Sequence, residues 1–217
     1  MSERKRIEYL DFLRVLATIA VVFYHTGAGS EIIGNIITIA FNWCVPIFIM
    51  ISGTLFLRKD KLVTEKTIFT KTLPRIIGII FVWGMFYNVV SKFIIEGISI
   101  NAFIESLIMV ITADTTYCYQ FWYLYLLVGL YILIPIIKPW VDKYMNSDKP
   151  TQESNIVFIF LMIVSLIIPT TLRIVGFEGT VWKGAFTVFT AFVFYLFTGT
   201  YLYRWDMPKG IKCFVGA

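Results

Sequence analysis

An aspartate, an arginine and a histidine stand in one otherwise apolar stretch near the start of the chain, Tyr9-Leu-Asp11-Phe-Leu-Arg14 through to Tyr24-His25. Arg14 and His25 are 11 residues apart. That is close to three turns at 3.6 residues per turn, so on a helix they point the same way, about 16 Å apart along the axis. Asp11 lies one turn before Arg14 on nearly the same face. A guanidinium grips an anion such as phosphate through its fork of donors. A carboxylate beside it fixes its rotamer. The histidine, the chain's single one, can take or give a proton near neutral pH. An elongated substrate, anionic at one end and reactive at the other, fits such a line. The plainer alternative is a structural ion pair at a helix entrance, with Arg14 snorkelling toward water.

The elements that must carry this stripe are membrane helices. The 217 residues are 58% hydrophobic and 15% charged, against about 25% charged in a soluble domain. The mean hydropathy is +0.78. Charge inside a bilayer is expensive, so the stripe is expected to face a bundle interior or a polar cavity. A bilayer core of about 30 Å takes about 20 helical residues. Segments of that kind run at roughly 9–28, 33–57, 76–95, 121–137, 154–171 and 181–203. The expected fold is an all-α, polytopic transmembrane bundle of about six spans. The run 102–113 is shorter and carries Glu105, which suits a re-entrant or interfacial helix. With both termini inside, every Lys and Arg except Lys92, Arg173 and Lys183 falls on the cytoplasmic side. The net charge of +5 therefore reads as an orientation signal and not as a nucleic-acid surface. Asp11 and Arg14 interrupt the first apolar stretch, and no small-x-small site precedes Gly27, so it reads as an uncleaved helix. Cys44, Cys118 and Cys213 are far apart and suggest neither metal nor disulfide framework.

Acyl-coenzyme A has the shape the stripe asks for. Further motifs accompany it. The second apolar stretch holds Val45-Pro-Ile-Phe-Ile-Met-Ile-Ser52-Gly53, the third is entered through Lys71-Thr-Leu-Pro74-Arg75, and the fourth runs Phe121-Trp122-Tyr123 to Tyr131 and Pro135. Together, in this order, they resemble the membrane-bound acyltransferase family 3, well over residues 7–140 and beyond that only as hydrophobic helices. The resemblance implies an integral membrane enzyme that moves an acyl group, often acetyl, from cytoplasmic acyl-coenzyme A to a hydroxyl of a cell-surface or secreted glycan. It implies Arg14 and His25 as the characteristic pair and Arg75 as the basic position at the third helix. Family members carry more helices, so residues 1–217 are expected to form a single domain that is truncated at its C-terminal side.

The candidate site is then His25 and Asp11 for catalysis, Arg14, Arg75 and Lys71 for the coenzyme, and Trp122 and Tyr123 for the acceptor, with no metal. Trp122 and Tyr123 are equally readable as interfacial anchors. Glu105 and Asp114 fall outside and read as solvated charges or acceptor contacts. Ser52-Gly53 reads as close helix packing rather than a nucleophile. Pro46, Pro135 and Pro169 should kink or end helices. The expected partners are membrane lipid, acyl-coenzyme A and a glycan, in a cell membrane, with no nucleic acid. Two non-enzymatic readings remain beside this one: half of a transporter or channel, which lacks a repeat or paired broken helices, and a sensor or anchor module.

Overall fold

The computed structural model describes residues 7–26, 31–58, 65–145, 151–174 and 185–204. These form helices and no strand. In chain order they are α1 (Glu8–Thr26), α2 (Glu31–Phe41), α3 (Cys44–Leu57), α4 (Glu65–Thr67), α5 (Leu73–Glu96), α6 (Ile100–Ile111), α7 (Trp122–Trp140), α8 (Gln152–Met162), α9 (Ile168–Ile174) and α10 (Ala185–Arg204). Cys213, Lys183 and the basic residues Arg4, Lys5, Arg6, Lys59, Lys61, Lys149, Lys209 and Lys212 lie outside the described residues. The chain divides into two compact units, Met1–Lys61 with Trp140–Ala217, and Leu62–Pro139.

Among the described residues three helical runs are long and apolar enough to cross a membrane: Gly34–Leu57, Glu65–Glu96 and Tyr119–Met145. They correspond to the second, third and fourth expected spans. Shorter apolar helices occupy Ile100–Ile111, Gln152–Ile167 and Ala191–Tyr203. The 19 residues of α1 extend about 28 Å.

Prolines shape these helices. A proline ring clashes with the carbonyl four residues before it. For Pro46 that residue is Asn42, and the second apolar stretch breaks there into α2 and α3. The Trp43 indole N–H donates to the Ala40 carbonyl at 2.6 Å and satisfies one freed acceptor. Elsewhere the chain widens instead of breaking. Three π-helical turns, Ile68–Thr72, Val141–Met145 and Ile163–Ile167, lie two residues from Pro74, Pro139 and Pro169 respectively. Before Pro74 the wider turn takes in Thr70, four residues ahead of the ring, and makes room for it while the helix continues, whereas the turn at Val141–Met145 follows Pro139. Pro135 sits inside α7. Because of the turn before Pro74, the third helix starts at Glu65, well before the position expected from the sequence.

In the second unit the run Glu65–Glu96 has 32 residues, about 48 Å. A bilayer core of about 30 Å leaves part of it outside. Lys71 and Lys92 are about 31 Å apart along that axis, so the charges fit at opposite faces with the uncharged stretch 76–91 between them. α6 folds back along α5. Val110 packs on Gly84 and Glu105 pairs with Lys92, so the two helices run antiparallel. Ser99 caps α6, its hydroxyl accepting from the Ala102 N–H at 3.1 Å. The run expected at 102–113 is thus a short apolar helix that packs along α5.

In the first unit α3 and α10 interlock through two glycines. The face of Gly53 lies against the Leu196 carbonyl, and that of Gly199 against the Met50 carbonyl; a Cβ at either would overlap backbone. The Thr54 hydroxyl donates to the Gly199 carbonyl at 2.9 Å. Ser52 donates to Phe48 at 3.0 Å within its own helix. The Ser52-Gly53 pair is thus a packing element, the use of small residues that membrane helices favour. Tyr9, at the start of α1, lies within electrostatic reach of Arg58 and Tyr203. The ends of α3 and α10 therefore lie together beside the start of α1, so α3 and α10 run parallel and α1 runs against them. Gly199→Val should destabilise the protein by about 1–3 kcal/mol through overpacking, read as a lowered thermal midpoint in detergent. Gly78→Ala, where nothing lies within 4 Å, should not lower it. An unchanged midpoint for Gly199→Val would contradict the interlock.

Candidate functional site

α1 contains neither glycine nor proline from Glu8 to Thr26. The spacing of Arg14 and His25 is therefore fixed by one unbroken helix, at about 16 Å. Its packed face is Leu10, Ala17 and Ala20. The two alanines meet Cys44 of α3, and Val21, Phe41, Val45, Ile47 and Phe48 close around them. Phe23 stacks on Phe41 of α2 at 5.5 Å. Small side chains let the backbones approach, so the alanine face is the one turned to α3.

The charged stripe flanks that face instead of being enclosed by it, which corrects the expectation of a buried stripe. Arg14 Nη1 donates to Asp11 Oδ1 at 3.0 Å, with the side chains 42% and 33% exposed. The Thr18 hydroxyl donates to the Arg14 carbonyl at 2.8 Å. His25 is exposed and meets Tyr24 edge-on at 5.3 Å. The arginine has a carboxylate to orient it and still leaves much of its fork open to a ligand. At the Arg14 end, Arg58 adds a second cation near Tyr9. Its signal in the sequence was only membership of the basic stretch after the second span.

The remaining candidates belong to the second unit. Lys71 lies in the π turn and Arg75 one turn later, and both are exposed. Pro74 stands between them at the start of α5. Trp122 and Tyr123 are half-buried at the start of α7, in mutual edge contact at 6.2 Å. Beside them is an aromatic cluster not singled out from the sequence. Tyr87 meets Phe121 at 5.9 Å and Trp83 at 6.3 Å. A single cluster of aromatic rings offers a surface for the apolar faces of a sugar as well as for lipid headgroups. Asp114 accepts from both the hydroxyl and the backbone N–H of Thr116, which holds its carboxyl below the usual carboxylate range. Its charge is spent on its own loop. Glu105 is paired with Lys92.

The structure thus joins Asp11 to Arg14 and aligns His25 with them in the first unit, and places Lys71 next to Arg75 and Trp122 next to Tyr123 in the second. A half-exposed ion pair contributes about 0–1 kcal/mol. Asp11→Asn should therefore leave the thermal midpoint nearly unchanged, whereas Ala17→Leu, on the packed face, should lower it by the equivalent of about 1–3 kcal/mol. A large loss for Asp11→Asn would make the pair structural.

No curated protein and no solved structure matches the chain. A family model described as an acyltransferase domain matches residues 7–211. It takes in the stripe of α1, the interlocked α3 and α10, and the whole second unit, so that this chain belongs to acyltransferase family 3.

Proposed function

We propose that the chain transfers an acyl group, acetyl in the first instance, from cytoplasmic acyl-coenzyme A to a hydroxyl of a cell-surface or secreted glycan. Membership of the acyltransferase family supports the reaction class. The observation that carries the finer reading is the open stripe on α1, where an oriented guanidinium and an imidazole lie on one rigid line about 16 Å apart.

In this reading the N-terminus is cytoplasmic and the chain lies in a cell membrane. The parallel course of α3 and α10 against α1 is consistent with the even span count that puts both termini inside. Arg14 in the first unit is the proposed ligand of the coenzyme's phosphates, and Lys71 and Arg75 are the candidate coenzyme cations of the second unit, each suited to a phosphate by its charged donors. Asp11 holds the Arg14 rotamer. The pantetheine arm follows α1 toward His25. His25 takes the proton of the acceptor hydroxyl as its oxygen attacks the thioester carbonyl. The carbon–sulfur bond breaks, and the departing thiolate takes the proton back from the imidazolium. The products are a glycan ester and free coenzyme A. Trp122 and Tyr123 supply stacking surface for the sugar.

The break between α2 and α3 is a feature that transporters also use, in matched pairs at their substrate site. Coenzyme A binding separates the two readings. The purified chain in lipid nanodiscs should bind coenzyme A in calorimetry, and Arg14→Ala should weaken the affinity about ten-fold or more, as expected for losing charged hydrogen bonds. No binding by the unaltered chain would favour the transporter reading. His25→Ala should keep coenzyme A binding and membrane insertion while losing acyl transfer in cells. Transfer at the unaltered rate in His25→Ala would remove the histidine from the mechanism.

A further inference from the structure

One polar side chain in the second unit has no assigned part in this scheme. Asn88 lies in the middle of the apolar stretch of α5 and is 1% exposed. Its Oδ1 is buried with no hydrogen-bond partner. A buried acceptor left unmade is costly, and such groups in native proteins call for a reason. Within a membrane helix that reason is commonly function.

What covers Asn88 is α6. The residues on either side of Asn88 on the same face of α5, one turn away each, are Gly84 and Lys92. Gly84 meets Val110 and Lys92 meets Glu105, so the part of α6 between Glu105 and Val110 lies over Asn88. This cover has the features of a moving part. It is 12 residues long. Both of its connections carry left-handed backbone, Gly97 at φ 84° and Ala113 at φ 59°. The second is uncommon for a residue with a Cβ. Its outer fastening is an ion pair whose carboxylate is solvent-facing: Lys92 bonds Glu105 and, at 3.1 Å, Glu96, the Glu105 side chain being 54% exposed. One turn from Asn88 on the same face, Gly84 meets the Phe121 ring as well as Val110, and Phe121 in turn packs against Tyr87.

We propose that Asn88 is a recognition residue for a hydroxyl of the glycan acceptor, and that α6 is the lid over it. Oδ1 can only accept, so its ligand must donate, and a sugar hydroxyl does so while the neighbouring rings meet the sugar's apolar face. The position suits an acceptor that arrives from the far side of the membrane. Asn88 is about 6 Å along the axis from Lys92, at the end of α5 remote from Lys71 and Arg75. The lid opens by parting Glu105 from Lys92 and turning at Gly97 and Ala113. This inference rests on the acyltransferase reading.

The test is made in cells that produce the chain, by measuring alkali-labile acyl ester on their envelope polysaccharide. Asn88→Leu keeps the number of side-chain heavy atoms and the branching at Cγ while it removes the orphan acceptor, so replacing an asparagine that binds no ligand would leave the ester unchanged. Asn88→Leu is expected to lower the ester about ten-fold or more while the thermal midpoint of the purified chain holds or rises. Ester at the unaltered level overturns the proposal. So does a fall in ester that comes with a fall in thermal midpoint, which would make Asn88 part of the packing. If the unaltered chain adds no ester over cells lacking it, the acyltransferase reading itself fails and takes this inference with it. The lid is read separately, by hydrogen exchange of the amides of 100–111 in nanodiscs. Glu105→Gln should speed that exchange about ten-fold, and unchanged exchange overturns the lid.

Discussion

In hydrocarbon an unmade backbone hydrogen bond has no water to turn to, and that cost governs how this chain is built. At Pro46, Pro74 and Pro169 the structure answers a proline in the ladder locally. At Pro46 the helix breaks and an indole N–H takes up a carbonyl. Before Pro74 and Pro169 the turn widens to π geometry and the helix goes on. α1 has no proline or glycine to accommodate. It carries a fixed distance between two chemical groups, Arg14 and His25, on uninterrupted helix.

With the backbone satisfied, what remains is to hold the helices together without a hydrophobic drive between them. Small residues do this in both units. Gly53 and Gly199 let α3 and α10 touch backbone to backbone. Ala17 and Ala20 bring α1 onto α3. Gly84 receives Val110 of α6. The choice of small residues decides which face of each helix is closed, and so which face is left open. On α1 the alanines take the closed face, which leaves the Asp11–Arg14 pair half-exposed and His25 exposed. An open stripe serves a ligand better than a buried one would.

The helical class, the second, third and fourth apolar stretches as helices long enough to cross a membrane, and the spacing of the stripe were legible in the sequence because apolar length and helical period are local properties. The short helix before the fourth span was legible for the same reason, since 12 apolar residues cannot cross a bilayer. The depth of the stripe was not legible. The sequence places Arg14 on a face but does not say that Ala17 and Ala20 claim the contact with α3. The break at Asn42 was written in Pro46, whose effect falls four residues earlier than the proline itself. The early start of the third helix was hidden because Lys66, Lys71 and Pro74 read as a loop, and only the π turn lets the helix run through them. Asn88 was not singled out in the sequence, where it is one polar residue within an apolar stretch. Its significance depends on α6 lying over it, a contact between residues that sequence spacing alone does not reveal. Gly199 had the same difficulty, since its partner Met50 is far away in the chain.

The central claim is a direction along α1: phosphates at Arg14 and reacting carbonyl at His25. It is tested most directly with a coenzyme A thioester whose acyl group carries a photoreactive diazirine, bound to the chain in nanodiscs, irradiated, and mapped by mass spectrometry. The account predicts labelling in the last turn of α1, on the peptide that contains Phe23, Tyr24 and His25, and loss of that labelling in Arg14→Ala. Labelling confined to the Asp11–Arg14 end, or absent from α1 altogether, would contradict it.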